Sequence, residues 1–405
     1  MKEKRIGSFA RVWLFFAFFL SFVYFNFRVN EINGTMMAFS YKYGFISRGL
    51  IGSIYQLVDK ILPVNMQTYD GLFYFTVVIT VIYFAVLFAF FMLCLKKSSL
   101  SISDDLKYMI LFFTIWAVPM FVSKNNFGRL DIYCFMFSLI GAMLLIVRKA
   151  EWLIVPISAL GVMVHQGNVF MFYNIIMMLL LYRACSTEGN ERKRYGILLG
   201  LSFITVSVLF LYFEFFSHMN GENILEEIVT YASNVCYKGK YHQDVIDHEI
   251  LGIDLSEREY EFRLRNIVQF PIFVVLMLPY IIMTVKLFKN IIKKADSKLN
   301  KWKYIFVAIG AGTIVPDLLL KCDFGRWMFA IIAYYAVVII ALIAMNDTLV
   351  ETEVKALITN VNEKFSGAII LLVYPFLMQP LLDVAICGFV SNIANMLNDA
   401  FLHLW

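Results

Sequence analysis

Eleven long, predominantly apolar runs leave this chain few ways to fold. They cover residues 12–28, 71–95, 106–123, 131–147, 151–165, 168–183, 195–216, 267–288, 303–320, 327–345 and 365–386. A bilayer core about 30 Å thick takes about 17–25 helical residues. Backbone inside it must satisfy its own hydrogen bonds. The expected fold is therefore all-α: a polytopic integral membrane protein of about 11 transmembrane helices with extracytoplasmic loops forming a cap. Composition agrees, with 60% hydrophobic and 16% charged residues and a mean hydropathy of +0.73. Soluble domains carry about 45–50% and 25%. That excess argues against a disordered chain, a secreted disulfide scaffold or a nucleic-acid-binding domain. The shortest separation lies between the fifth and sixth runs, where only His165, Gln166, Gly167 and Asn168 intervene.

Charge orients the spans. With the N-terminus inside, 22 of the 35 Lys and Arg residues fall on the cytoplasmic side and 13 outside. Short basic loops such as Lys286–Lys303 carry the excess, which places the C-terminus outside. The first run follows Lys2, Lys4, Arg5 and Arg11 without a small-residue cleavage site and reads as a retained anchor. Two extracytoplasmic loops are long. One, 28–70, contains an interfacial helix candidate beginning at Gly44, and the other spans 217–266. A tail from Gly388 to Trp405 reads as resting on the outer interface. The six cysteines show no paired spacing, so neither a disulfide framework nor a zinc site is expected. Residues 241–249 hold His242, Asp244, Asp247, His248 and Glu249, but their spacing matches no established ligand pattern, and no metal is expected. Ser256 with Glu259 reads as the capped start of a solvated helix. No phosphate-binding glycine loop and no serine nucleophile elbow occur, which excludes ATP-driven transport by this chain alone.

Charged residues near hydrocarbon are costly and mark functional candidates. Here they cluster at the outer mouth: Arg48, Arg129, Asp131, His165, Glu214, Asp317, Lys321, Asp323 and Arg326. The triplet Phe-Gly-Arg occurs twice, at 127–129 and 324–326, each time between two apolar runs. Glycine permits a tight turn, and arginine offers a planar fork for phosphate. Arg48, also followed by glycine, makes a third such arginine. Two readings stay open: the arginines converge on a diphosphate, or each snorkels to the headgroups or pairs with a neighbouring aspartate. His165 is either a proton acceptor or a helix-end cap. Asp317 is either a base or the i,i+4 counter-ion of Lys321.

In outline the chain is similar to bacterial surface-polysaccharide enzymes, the O-antigen and capsule polymerases of the Wzy type. The resemblance is architectural: many spans, a large late external loop and outer-face arginines. It implies en bloc transfer of a growing glycan from undecaprenyl diphosphate to a second lipid-linked unit, in a bacterial inner membrane, without metal, nucleotide or other cofactor. Carried onto this sequence, Arg48, Arg129, Arg326 and Lys321 bind the diphosphate, His165 and Asp317 are the catalytic candidates, and Asp131 and Asp323 support them. The implied partners are a polyprenyl-diphosphate-linked glycan, membrane lipid and other polysaccharide-assembly proteins. Three alternatives remain: a multi-span glycosyltransferase using polyprenyl-phosphate sugars, a lipid-linked glycan flippase, and a non-catalytic membrane partner. The first wants an acidic base in the first external loop, which offers only Glu31 and Asp59 beyond the span. The second wants charged residues near the midplane, and the centres of the runs are largely uncharged.

Overall fold

The computed structural model of the protein describes residues 28–63, 65–98, 127–219, 221, 223–251, 269–320 and 324–364. The runs at 12–28 (save its last residue), 106–123 and 365–386, the 256–266 helix and the 388–405 tail lie outside the described residues, as do Lys321 and Asp323. Within them the fold is helical, and no strand occurs.

Two short helices come first, α1 (Glu31–Met36) and α2 (Gly49–Ile61). Asn30 caps α1 by accepting from the Ile32 amide. Helix α3 (Tyr69–Lys97) starts at Thr68, whose hydroxyl accepts from the Gly71 amide, and ends on Lys96 and Lys97, which suit the negative end of its dipole. Next come α4 (Asp131–Val147), α5 (Ile154–Val164), the single turn α6 (Asn168–Met171), α7 (Tyr173–Ser186) and α8 (Gly189–Phe215). Helices α9 (Ile224–Val235) and α10 (Gln243–Glu249) follow. The chain then forms α11 (Gln269–Lys294), α12 (Lys298–Ile309), α13 (Val315–Leu320), α14 (Phe324–Ala344) and α15 (Thr348–Lys364).

Three described helices are long and apolar enough to cross a membrane: Tyr69–Lys97, Gly189–Phe215 and Arg326–Ala344. They play different parts. The third has 89% of its apolar window buried and forms the axis of the bundle, against 33% for α3 and 22% for α8. Helix α8 turns Ile197, Phe203, Ile204 and Val208 outward. That face suits lipid, since an apolar surface of this extent is costly in water. The runs expected at 151–165 and 168–183 are shorter as helices than as apolar stretches. Helix α5 has 11 residues and α7 has 14, about 16 and 21 Å at 1.5 Å per residue. The break between them is the His165–Gly167 turn. The run at 303–320 is likewise interrupted, by a 3-10 segment at Gly310–Ile314.

Side-chain bonds tie loops to loops. Arg194 and Tyr195 of α8 reach Glu151 at 2.5 and 2.6 Å. Tyr182 and Tyr304 both donate to Asp347 at 2.7 Å, and Asp347 in turn accepts from the Leu349 and Val350 amides at the start of α15. Lys294 meets Glu353 at 2.5 Å. At the other end, α1 and the 38–46 segment that follows it pack on α9 and α10, burying Ala38, Phe39, Tyr43 and Ile46 with Ile228, Ala232 and Ile246, while α2 packs on α5. Lys42 pairs with Glu227 at 2.6 Å, and Tyr43 donates to the same oxygen at 3.2 Å. The hydrogen bond from Lys42 holds Glu227 below the ordinary carboxylate range, while burial and Glu227 together push the Tyr43 phenol up to about 12. Tyr43 therefore stays a donor at neutral pH.

This sorting gives a labelling test. In intact cells, a membrane-impermeant thiol reagent is expected to label Lys240→Cys from outside and Lys149→Cys only after lysis; both positions are exposed. Labelling of both from the same side would overturn the two-sided arrangement.

Candidate functional site

Two copies of the same triplet meet at the site, the first in a tight turn and the second, against expectation, inside the opening of α14. In the first Phe-Gly-Arg, Phe127 is buried against Phe73, with ring centroids 5.9 Å apart. Its carbonyl accepts from Asn33 Nδ2 at 3.0 Å, which ties the turn to α1. Gly128 has φ +88°, a conformation that a side chain disfavours. Arg129 then donates from Nε to Asp131 Oδ2 at 3.1 Å. Arg326 of the second Phe-Gly-Arg lies in the first turn of α14 and donates from Nη2 to Asp131 Oδ1 at 2.8 Å. One carboxylate, 2% exposed and opening α4, thus holds both repeated arginines.

His165 completes the group. It ends α5 in an extended conformation and is buried. The Gly167 amide donates to its Nδ1 at 2.8 Å, and Arg326 Nη2 stands 3.1 Å from its Nε2. An imidazole always carries at least one ring proton, whereas amide and guanidinium nitrogens here only donate. Whichever nitrogen bears that proton, one N–H faces another N–H. Among the described groups, N–H donors thus meet at the His165 ring from both sides.

Arg48 stands on the cap side. It precedes α2 with φ 64° and ψ 2°, the left-handed region, where a non-glycine residue costs about 1–2 kcal/mol. Its Nη1 pairs with Glu249, and its Nε is buried without a hydrogen-bond partner among the described residues. Of the three arginines singled out from sequence, two thus share an aspartate, one of these also meets His165, and the third holds a glutamate. Asp317 lies half-buried in the first turn of α13.

Sequence reasoning did not anticipate Glu249 as the partner of Arg48, because 201 residues separate them. It also missed Gln166, which donates to Glu214 at 3.3 Å. No local periodicity or spacing signals either contact. Among the described residues no group of three or more His, Cys, Asp or Glu is arranged to hold a metal ion.

The cap also protects a thiol. Cys236 packs against Gly34, lies 3.8 Å from Thr35 Oγ1, and burial pushes its thiol up to about 11. It is expected to resist maleimide at pH 7.5 in the native protein and to react on unfolding. Rapid native labelling would contradict the closed cap.

No family model, no curated protein and no solved structure matches the chain.

Proposed function

We propose that this chain is a multi-pass enzyme of a bacterial cytoplasmic membrane that transfers glycan between polyprenyl-diphosphate-linked units at the extracytoplasmic face. The reading takes about eleven spans, the N-terminus inside and the C-terminus outside. The observation that carries it is the convergence of Arg129 and Arg326 on Asp131, with His165 against Arg326 and with Arg48 bonded to Glu249 across a cavity that Gln166 also lines. A diphosphate leaving group gains negative charge as its bond to the sugar breaks. Preorganised arginines in a partly dry site stabilise that charge without reorganising. Arginine suits the task because its planar fork matches phosphate oxygens. The 38–46 segment, which leads to Arg48, is buried with α9 and α10 in an apolar cluster.

His165 fits a positioning role better than that of a base. Both ring nitrogens already face donors, so the one lone pair of the neutral ring is occupied and not open to a substrate proton. The apolar outward face of α8 and the central burial of α14 support membrane insertion around the site. Other assembly proteins and lipid-linked glycan are the partners this reading requires.

The test is glycan length on cells carrying Arg129→Ala, Arg326→Ala or His165→Ala, with expression verified. Loss of long chains while single lipid-linked units still reach the outer face is the expected result. Units trapped at the inner face would replace the polymerase with a flippase. Normal long chains in all three variants would sink the proposed site.

A further inference from the structure

Beside the anion site, a cavity of about 350 Å³ opens between the cap, Gln166 and the C-terminal end of α8. We propose that this cavity is a carbohydrate subsite for one sugar residue, with Glu214 accepting from its hydroxyl groups. The inference rests on the proposed function, and assigns it a place for the sugar as distinct from the diphosphate.

Size sets the first limit. Small-molecule pockets run from about 300 to 1,000 Å³, so this one takes a single ring and not a glycan chain. Lining sets the second. Ser47, Gln166, Glu214, Ser217, His218 and Glu249 offer hydroxyl, amide, imidazole and carboxylate groups around one space. A sugar hydroxyl both donates and accepts, and such a mixture serves both needs. Other occupants fit less well. Two carboxylates repel a phosphate, the polar wall wastes a lipid tail, and the described acidic and histidine side chains are not grouped for a metal ion.

The two carboxylates differ. Glu249 is taken by Arg48, whereas Glu214 accepts only from the neutral amide of Gln166 at 3.3 Å and has no cationic partner among the described residues. Glu214 is also exposed to the cavity. It is therefore the carboxylate open to substrate hydroxyls. The subsite and the anion site share walls: Gln166 follows His165, and Glu249 is bonded to Arg48. A sugar here sits within one residue of groups that hold the diphosphate.

The test uses the full chain in lipid nanodiscs, since sugar-based detergents compete for the cavity. Glucose, galactose and N-acetylglucosamine are titrated singly by saturation-transfer NMR, and inorganic pyrophosphate by phosphorus NMR. At least one sugar is expected to bind the native protein. Glu214→Ala and Ser217→Ala should each weaken it, the former about tenfold or more, as loss of a hydrogen bond to a charged group implies. Pyrophosphate binding should be unchanged in both. No saturation transfer to any of the three sugars, or transfer unaffected by Glu214→Ala, overturns the subsite. Sugar binding that is lost in Glu214→Ala, in a protein that never binds pyrophosphate, upholds the subsite and sinks the anion reading instead.

Discussion

Replacing Asp131 by asparagine is expected to destabilise the protein by about 3–5 kcal/mol, the usual consequence of removing one partner from a buried ion pair. Asp131 is 2% exposed and its two oxygens are divided between Arg129 and Arg326. The amide keeps the shape but loses the charge that both guanidinium groups share. Thermal unfolding followed by tryptophan fluorescence in nanodiscs measures the loss. A second variant separates structure from function. Substituting Asp131→Leu, Arg129→Met and Arg326→Met together removes the charges as a set, which commonly restores or exceeds native stability. The triple variant should therefore be stable, yet bind no pyrophosphate and support no long glycan. Full activity in it would show that the cluster only holds helices together.

The second large effect is expected at Gly52. A Cβ built there falls 1.9 Å from the Phe39 carbonyl oxygen and 2.8 Å from that of Met37. Both obstacles are backbone, so no side chain can swing aside. Helix α2 crosses the chain at this point because only glycine lets it approach. Neighbouring Phe39 and Tyr55 are wholly buried, and Tyr55 donates to the Met66 carbonyl. Gly52→Val should cost about 1–3 kcal/mol or more. The cap should then open about 10- to 100-fold more often. Cys236, which lies under α1, reports it: maleimide labelling at pH 7.5 should accelerate by that factor while the central helices stay folded. An unchanged rate would mean that α2 moves independently of the cap.

Particular residues show how far sequence carries. The helical runs at 71–95, 195–216 and 327–345 were legible because an apolar stretch of that length has no other stable form in lipid. The runs at 151–165 and 168–183 form apolar helices too, but shorter ones than the three long enough to cross a membrane. Their apolar residues pack into a bundle interior, where a buried short helix and a spanning helix look the same in composition. The Phe-Gly-Arg repeat was visible, and so was the gathering of charge at one face. Its geometry was not. Nothing local to Arg129 or Arg326 shows that both reach the same carboxylate, since 195 residues separate Asp131 from Arg326. Likewise the pairing of Arg48 with Glu249 depends on how two loops fold against each other.

The sequence by itself determined helicity: long apolar runs with charges confined to their ends form helices, three of the described ones long and apolar enough to cross a membrane, because backbone hydrogen bonding is settled segment by segment. Only the tertiary structure decided which charges meet. Ion pairs and cavities arise from contacts across hundreds of residues, and their energies depend on distances and burial that no local pattern encodes. Asp131 is the clearest case. In sequence it is one acidic residue at the start of an apolar run, and in the fold it is the point where both repeated arginines and the His165 turn come together.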